Sequence, residues 1–289
     1  MPLAAPIYQG IRLAGMLFRE WLSKPVLERH PEEATMEDPD CVEGFHRAGV
    51  EYLMPVYHFN ALAVSRLAPM GGTVVDLGSG SGQFLVYLAQ RRPDLRIIGL
   101  DLSEAMVDTG LRHIREMGLE DRVSLSLGDM TNFIPLLTEP VALVSSVFAL
   151  HHLPLKEHLR KCLGEIAASR ARFGSAVWLF DHVRPFHPNT PKVFPEILTP
   201  NASPAFRRDS TNSLIASWSY QELTTEIVEV GLTQASHSCA RVMKLYQTHW
   251  LSHRGEVMGG HDNWEDDHVS LKVKQTFESL RWLLPESPV

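Results

Sequence analysis

The chain contains 289 residues, 44% of them hydrophobic, which is enough for a sizeable core in one large domain or two ordinary ones. Its formal net charge of −7 provides no basic field, which argues against nucleic acid and anionic membranes as partners. Its three cysteines are far apart and odd in number, which argues against a disulfide framework, and its longest apolar runs are too short to cross a bilayer. Because the first residues also lack the order of a signal peptide, the sequence predicts a cytoplasmic protein without a membrane partner.

The first 70 residues have a mostly helical pattern. Apolar side chains recur at helical spacing over residues 7–22 and again over 55–67. The acidic stretch 28–40 is interrupted by prolines and is predicted to be a solvated loop. Residues 1–70 are therefore predicted to form an N-terminal helical cap over a ligand cleft.

The stretch Thr73–Gly82, TVVDLGSGSG, is predicted to be a buried strand followed by a glycine turn and the start of a helix. Glycines allow a ligand to approach the backbone closely, and the free N–H groups of the helix start favour a negatively charged ligand group. The spacing G-x-G-x-G differs from the G-x-G-x-x-G of dinucleotide sites. Asp76, two residues before the first glycine, would repel a pyrophosphate but suits a cationic amine or sulfonium. The sequence thus favours a nucleotide-like cofactor that carries a positive charge.

Strand and helix patterns alternate from Gly72 to about Phe180. This alternation predicts a parallel sheet with right-handed crossovers and helices on both faces. Ligands on such sheets bind beyond the carboxyl ends of the strands. The five strands are predicted at residues 73–77, 96–102, 123–129, 141–150 and 175–183.

The stretch TVVDLGSGSG resembles motif I of class I S-adenosylmethionine-dependent methyltransferases. GLDLS, GDM and SSVFALHHLP follow at the ends of the next three strands, so the resemblance extends over about residues 50–182. It implies that the glycine loop runs beneath the methionine part of S-adenosylmethionine. The expected cofactor-binding residues are Asp76, Gly78, Ser79, Gly80, Asp101, Leu102, Asp129, Met130, Ser146 and Val147.

Two acids in this set have separate expected roles. The carboxylate of Asp101 can accept hydrogen bonds from both ribose hydroxyls, although a carboxylate there could instead cap the next helix. The resemblance implies that Asp129 accepts a hydrogen bond from the adenine amine, which has donors only. The alternative for Asp129 is an ordinary turn residue.

The loop after the fourth strand contains His151 and His152. A histidine at the mouth of an active site can act as a general base near neutral pH. We expect His151 to face the substrate and His152 to pack inward and hold the loop.

Asp181 and His182 end the fifth strand, and Arg184 follows. His151, Asp181 and His182 are therefore the candidate catalytic residues. The alternative is an ion pair between Asp181 and Arg184 beside a solvated histidine. Asp/His pairs also bind divalent metals, but no clustered ligand spacing is present, so no metal is expected. The tail between His261 and His268 is predicted to be an acid-rich surface loop rather than a metal site.

Residues 184–217 are rich in proline and polar side chains and are predicted to be an inserted loop or lid. A helix should follow, with Ser219 and Glu222 as a capping box and Gly231 at its end. Two further strands and a C-terminal helix complete the pattern. The candidate substrate-binding residues, from the cap and the lid, are Tyr8, Tyr57, Arg184, Arg207 and Trp218.

The predicted fold is an α/β three-layer sandwich with a seven-stranded, mostly parallel sheet, an N-terminal helical cap and an inserted lid. The predicted domains are a cap at 1–70, a Rossmann-like methyltransferase domain at 71–253 with its lid at 184–217, and a helical appendix at 254–289. The predicted function is methyl transfer from S-adenosylmethionine to a small molecule in specialised metabolism, by a monomer or a homodimer. The alternatives are a peptide or protein acceptor, a nicotinamide-dependent oxidoreductase, and a non-catalytic cofactor-binding subunit.

Overall fold

The computed structural model describes residues 4–24, 27–33, 35–255 and 269–288. Seven strands form one sheet in the order β3-β2-β1-β4-β5-β7-β6. All are parallel except β7, which is antiparallel to both of its neighbours. The predicted α/β fold with a mostly parallel seven-stranded sheet is confirmed. The strands are β1 (Thr73–Leu77), β2 (Arg96–Asp101), β3 (Val123–Leu127), β4 (Leu143–Val147), β5 (Ala176–His182), β6 (Ser236–Cys239) and β7 (Tyr246–Leu251).

Helices cover both faces of the sheet. Along β5, Trp178 packs into the core on one face and Leu179 into the core on the other, because successive strand residues point to opposite faces. The helices are α1 (Ala4–Leu22), α2 (Pro39–Ala48), α3 (Met54–Leu67), α4 (Gln83–Ala89), α5 (Glu104–Glu116), α6 (Lys156–Phe173), α7 (Thr190–Leu198), α8 (Pro204–Ala216), α9 (Tyr220–Glu229) and α10 (Leu271–Leu280).

The helix α3, which the sequence analysis assigned to the cap, packs directly on the sheet. Ala61 and Val64 on α3 are completely buried. Asn60 accepts a hydrogen bond of 2.8 Å from the indole N–H of Trp178 on β5. Phe277 of the C-terminal helix α10 packs on His58 from the outer side, with ring centroids 4.9 Å apart. The three-layer core therefore includes helices from both ends of the described chain.

Residues 184–217 form two helices, α7 and α8, where the sequence analysis expected a loop or lid. Glu20 on α1 is buried and accepts hydrogen bonds from the backbone N–H groups of Phe186 and His187 and from the hydroxyl of Thr190. Phe186 and His187 precede α7 and Thr190 is its first residue, so this carboxylate holds the segment that leads into the helix. The inserted helices are thus anchored to α1.

The helix α9 has the predicted capping box, in which Ser219 and Glu222 each accept the other's backbone N–H. No helix within the described ranges is long and apolar enough to span a membrane. The predicted acid-rich loop between His261 and His268 lies outside the described residues.

The chain leaves β1 for β2 on one side of the sheet and later places β4 on the other side. The loops after β1 and β4 therefore diverge and leave a crevice at their carboxyl ends, which is where ligands bind in sheets of this kind.

Candidate functional site

The glycine turn after β1 forms the floor of a cleft. Gly78 and Gly80 have left-handed backbones, with φ of 70° and 53°. A Cβ on Gly78 would lie 2.3 Å from the Cβ of Ala149, so only glycine lets the turn pack against the loop after β4. A Cβ on Gly80 would meet nothing within 4 Å, which means that its backbone faces open space.

Asp76 is buried at the end of this floor, with only 1% of its surface exposed. Its Oδ1 accepts a hydrogen bond of 2.6 Å from the hydroxyl of Ser145. Burial and the neighbouring charge of Asp101 raise the pKa of Asp76 to about 7, despite that hydrogen bond. A carboxyl group in this state gains most from a cationic ligand, which would restore its charge.

Asp101 ends β2 and faces the same cleft. Its Oδ2 accepts the N–H of Gly80 at 2.7 Å, and its Oδ1 accepts the N–H of Ser103 at 3.0 Å. The carboxylate therefore orients the glycine turn and begins the next helix while keeping lone pairs free for a ligand. Leu102 and Met130 line the cleft beside it as apolar surface.

The expected residues divide into those that line the cleft and those behind it. Val147 lines it, whereas Ser146 is fully buried and donates a hydrogen bond of 3.0 Å to the carbonyl of Leu77. Asp129 is exposed and does not line the cleft; its Oδ1 accepts the N–H of Thr131 at 2.8 Å. The structure thus shows Asp129 as a turn residue, the alternative to an adenine contact.

The cleft, with a volume of about 1410 Å³, fits the expected cofactor. Asp76 offers a carboxylate to an ammonium group, Asp101 offers one to ribose hydroxyls, and Leu102 offers an apolar face to adenine. The hydroxyl of Ser79 is buried without a hydrogen-bond partner and lines the same space. A buried polar atom of this kind is usually satisfied by a ligand or water.

Helix α2 forms a roof over the glycine turn. The Nδ1 of His46 lies 2.9 Å from the hydroxyl of Ser81, and the side-chain amide of Gln83 donates to the His46 carbonyl. Further contacts hold this roof in place, since Phe45 packs on Phe206 of α8 and His46 packs on His113 of α5.

Five side chains form a histidine cluster beyond the cleft: Glu32, His151, His152, Asp181 and His182. The buried ring of His151 lies between two carboxylates, with Nδ1 at 2.6 Å from Asp181 and Nε2 at 3.3 Å from Glu32. Burial alone would lower the pKa of His151, but the two carboxylates outweigh it and raise the pKa to about 10. His151 is therefore protonated at neutral pH, which does not suit the general base that the sequence analysis expected.

The surroundings of the other two histidines of the cluster shift their pKa values in the opposite direction. Burial and the positive charge of His151 lower the pKa of both His152 and His182 to about 4. About a third of the His152 side chain is exposed to the cavities around it. The ring of His182 stacks on Phe148, with centroids 4.5 Å apart, and its buried Nδ1 has no partner. His152, expected to pack inward, is thus the more accessible of the two loop histidines.

An inner cavity of about 270 Å³ lies next to the cofactor cleft. Its walls are mostly apolar and come from α3, α7, α8, β7 and the C-terminal residues, and all three histidines of the cluster line it. Six residues line both spaces and form a shared wall: Phe45, Leu53, Phe148, His152, Phe206 and Asp209. Phe148 has a left-handed backbone, with φ of 58°, which is unusual for an aromatic residue.

Of the expected substrate-binding residues, Tyr57 alone lines one of these two spaces, the cofactor cleft. Tyr8 lies on the outer face of α1 and is 63% exposed. Arg184 pairs with Glu222 at 3.1 Å, which also excludes the expected alternative of an ion pair with Asp181. The remaining two, Arg207 and Trp218, donate hydrogen bonds to the carbonyls of Pro200 and Leu150, respectively. These four side chains line neither space, and charge and aromaticity in the sequence do not reveal which way a side chain points.

Glu32 and Arg29 are functional-site residues that the sequence analysis missed. Both belong to the stretch that was predicted to be a solvated loop. Arg29 lies over the ring of Trp218, 3.6 Å from its centroid, and donates to the carbonyls of His151, Leu153, Pro154 and Ala216. Charged residues near prolines carry no signal of such contacts, so nothing in the local pattern could have revealed them.

The chain is similar to known methyltransferases over part of its length. Residues 74–171 match the family described as a methyltransferase domain. Release factor glutamine methyltransferase from Rhodospirillum rubrum is 41% identical over 59 residues, which are 20% of this chain and 18% of that protein. The chain therefore spans less than a fifth of the length of this curated relative.

Solved structures extend the likeness to most of the fold. The plantazolicin methyltransferase BpumL, determined in complex with SAH, has a TM-score of 0.56 at 12% identity and covers 85% of this chain and 97% of its own. An O-methyltransferase family protein from Burkholderia thailandensis has a TM-score of 0.54 at 19% identity, with coverage of 86% and 69%. Residues 74–171 thus form a methyltransferase domain, and the chain has the Rossmann-like fold of S-adenosylmethionine-dependent methyltransferases.

The raised pKa of Asp76 predicts a pH-dependent cofactor affinity. If the ammonium of the cofactor pairs with ionised Asp76, protonation of the free carboxyl group competes with binding. The affinity for S-adenosylhomocysteine should then rise about tenfold from pH 6 to pH 8 and level off above the pKa near 7. Isothermal titration calorimetry across this range measures the effect.

Asp101 and Asp209 also line this cleft, burial raises the pKa of both, and the Asp76→Asn variant keeps both. This variant should bind more weakly at pH 8 and lose the rise between pH 6 and pH 8. An equally steep rise in the variant would assign the pH dependence to another group.

Proposed function

We propose that this protein transfers a methyl group from S-adenosylmethionine to a small, largely apolar acceptor molecule that binds in the inner cavity. The observation that carries the proposal is the shared wall between this cavity and the cofactor cleft. A methyl group on a sulfonium is already activated, so the main task of the protein is to align the acceptor atom, the methyl carbon and the sulfur. Because the same residues line both spaces, an acceptor in the inner cavity would lie next to the cofactor, which provides that alignment.

The size and lining of the inner cavity support a small acceptor. Its volume of about 270 Å³ is at the lower end for ligand pockets, which are commonly about 300–1,000 Å³. Apolar side chains such as Phe194, Ile197 and Tyr246 line most of it, while the histidine cluster supplies polar groups at one end. This combination suits an aromatic or aliphatic body with one polar acceptor atom directed at His152.

His151, Asp181 and His182 belong to this polar end, and we propose that the neutral ring of His152 or His182 accepts the proton that the acceptor loses. A general base is needed only for an acceptor that is protonated at neutral pH, such as a phenol.

A pair of matched substitutions on α8 tests the inner cavity. Ser210 lines it, whereas Thr211 does not, and each hydroxyl donates to the carbonyl four residues earlier, at 2.9 and 2.8 Å. Ser210→Phe should fill the cavity and lower kcat/KM at least tenfold with any accepted small molecule, without changing the affinity for S-adenosylhomocysteine. Thr211→Phe should leave both quantities nearly unchanged.

The measurement is transfer of a radiolabelled methyl group to a panel of apolar phenols, alcohols and amines. Equal turnover in both variants would show that the acceptor binds elsewhere. Methyl transfer to a peptide that Ser210→Phe does not affect would favour the protein-acceptor alternative.

Two other functions remain to be compared with this proposal. An oxidoreductase should gain thermal stability from NAD, whereas this protein should gain it from S-adenosylhomocysteine. A non-catalytic cofactor-binding subunit should bind S-adenosylmethionine without turnover on any acceptor of the panel. Asp76 disfavours the first function, and the inner cavity disfavours the second.

A further inference from the structure

We infer that Glu32, His151 and His152 bind a single divalent first-row transition metal ion, with the open side of the ion facing the inner cavity. The sequence analysis expected no metal because no ligand spacing was visible. The structure changes this expectation because a glutamate from the N-terminal stretch lies beside both loop histidines. One ligand atom from each of the three residues lies within 4.8 Å of the other two.

The distances within this group suit one ion. A Glu32 oxygen, Oε1, lies 3.3 Å from Nε2 of His151 and 3.4 Å from Nδ1 of His152. Tetrahedral ligands at the usual Zn–N and Zn–O distances of about 2.1 Å are about 3.4 Å from one another. Both separations are at or beyond the long end for a hydrogen bond but match the edges of a coordination tetrahedron.

The residues that contact the three ligands orient them through hydrogen bonds, as the outer partners in a metal site do. A histidine that binds a metal through one ring nitrogen usually donates its other N–H to a carboxylate. His151 does this with Asp181, at 2.6 Å. The hydroxyl of Ser213 lies 3.2 Å from Oε1 of Glu32 and holds that carboxylate in place. Arg29 fixes the loop that carries the histidines through the carbonyls of His151 and Leu153.

The charge around the group also favours a cation. Glu32 and Asp181 are both acidic, and a third acid, Asp209, lines the shared wall nearby. Arg29 directs its donors to carbonyl groups rather than to these carboxylates. A divalent ion bound through Nε2 would replace the proton of His151 as the positive charge between the carboxylates of Glu32 and Asp181.

Two imidazoles and one carboxylate select the class of metal. Ca²⁺ and Mg²⁺ prefer oxygen ligands, whereas Zn²⁺, Co²⁺, Mn²⁺ and Fe²⁺ bind such mixed sets. His151 and His152 line the inner cavity and Glu32 lines the cofactor cleft, so the group lies between the two spaces, and the proposal directs the remaining coordination position to the acceptor. An ion there would lower the pKa of a bound hydroxyl group and so favour its deprotonation. This catalytic role rests on the proposed function, but metal binding does not.

The test uses the full-length, untagged protein after removal of metals with a chelator. Titration with Zn²⁺ by calorimetry should show one tight site per chain, and Co²⁺ should give visible absorption bands of four- or five-coordinate geometry. Glu32→Gln and His152→Asn should each weaken Zn²⁺ binding at least a hundredfold. Asp181→Asn should weaken it about ten- to a hundredfold, as the loss of an outer partner does. Mg²⁺ should not compete.

Glu33→Gln is the matched control, since it removes a neighbouring, exposed carboxylate and should leave Zn²⁺ affinity unchanged. Circular dichroism and melting temperature establish that each variant is folded. Two ligand variants are used so that the test can still be made if one of them does not fold. Absence of a site in the wild-type protein, or a site that survives both ligand substitutions, would overturn the inference. A loaded protein without methyl transfer would overturn the proposed function and leave the metal site intact.

Discussion

Replacing Arg29 by alanine is expected to lower the free energy of unfolding by about 3 kcal/mol and turnover by about a hundredfold. The guanidinium group donates to four carbonyl groups and stacks on Trp218, so its loss leaves several partly buried acceptors without a partner. Three of those carbonyls belong to the loop that carries His151 and His152. A small displacement of groups at the reacting centre can cost about a hundredfold in rate. Urea denaturation and steady-state kinetics measure the two effects.

Arg29→Lys separates the shape of the side chain from its charge. An ammonium group keeps the charge but cannot make the forked contacts of a guanidinium. We therefore expect Arg29→Lys to recover only part of the stability and little of the turnover, with cofactor affinity unchanged in both variants. Full recovery by lysine would show that charge alone matters at this position and would reject the role in holding the loop.

Gly80→Ala is expected to weaken the binding of S-adenosylhomocysteine at least tenfold. The added methyl group meets no protein atom within 4 Å, so it would project into the space that the cofactor needs. The left-handed backbone adds a cost of about 1 kcal/mol to the stability of the folded protein. Calorimetric titration and urea denaturation measure the two quantities separately.

Gly71→Ala controls for the backbone cost. Gly71 has φ of 66° and equally open surroundings, but it lies in the turn before β1, away from the cleft. The Gly71→Ala variant should lose about as much stability as Gly80→Ala but keep its affinity for S-adenosylhomocysteine. Gly78→Ala should lose more stability than either, because its methyl group would collide with Ala149. Equal cofactor binding by Gly80→Ala and Gly71→Ala would show that the cofactor does not approach Gly80.

Regular patterns in the sequence predicted most of the sheet and the floor of the cleft. The strand before Asp76 and the glycines after it are local features, since burial period and turn chemistry depend on neighbouring residues. The capping box of α9 is equally local, and Ser219 and Glu222 have the predicted contacts. The structure therefore confirms the elements that are determined by residues within about ten positions of one another.

The helix α8 was missed although a local signal for it exists. Ser203 accepts the N–H of Phe206, and Pro204 occupies the first helical position, which is a common start for a helix. The polar run that follows has few apolar residues, because α8 contributes only some of its side chains to the core. Its weak periodicity therefore resembled that of a loop.

The histidine cluster could not be predicted, because its contacts join distant parts of the chain. Glu32 reaches His151 from the N-terminal stretch, and Asp181 reaches it from β5. The expected alternative partner of Asp181 was Arg184, three residues away, but Arg184 turns to Glu222 on α9. Sequence proximity is a poor guide to ion pairs when a strand end and a loop can turn their side chains in opposite directions.

Phe148 combines a strained backbone with a ring that lines both the cofactor cleft and the inner cavity. A left-handed conformation costs an ordinary residue about 1–2 kcal/mol, and glycine would remove that cost. Glycine would also remove the ring that stacks on His182 and lines both the cofactor cleft and the inner cavity. Because the ring also packs against Phe180 and Tyr246, its loss would cost about 3–5 kcal/mol, more than the relieved backbone returns. The strained backbone is therefore kept together with the ring that it carries.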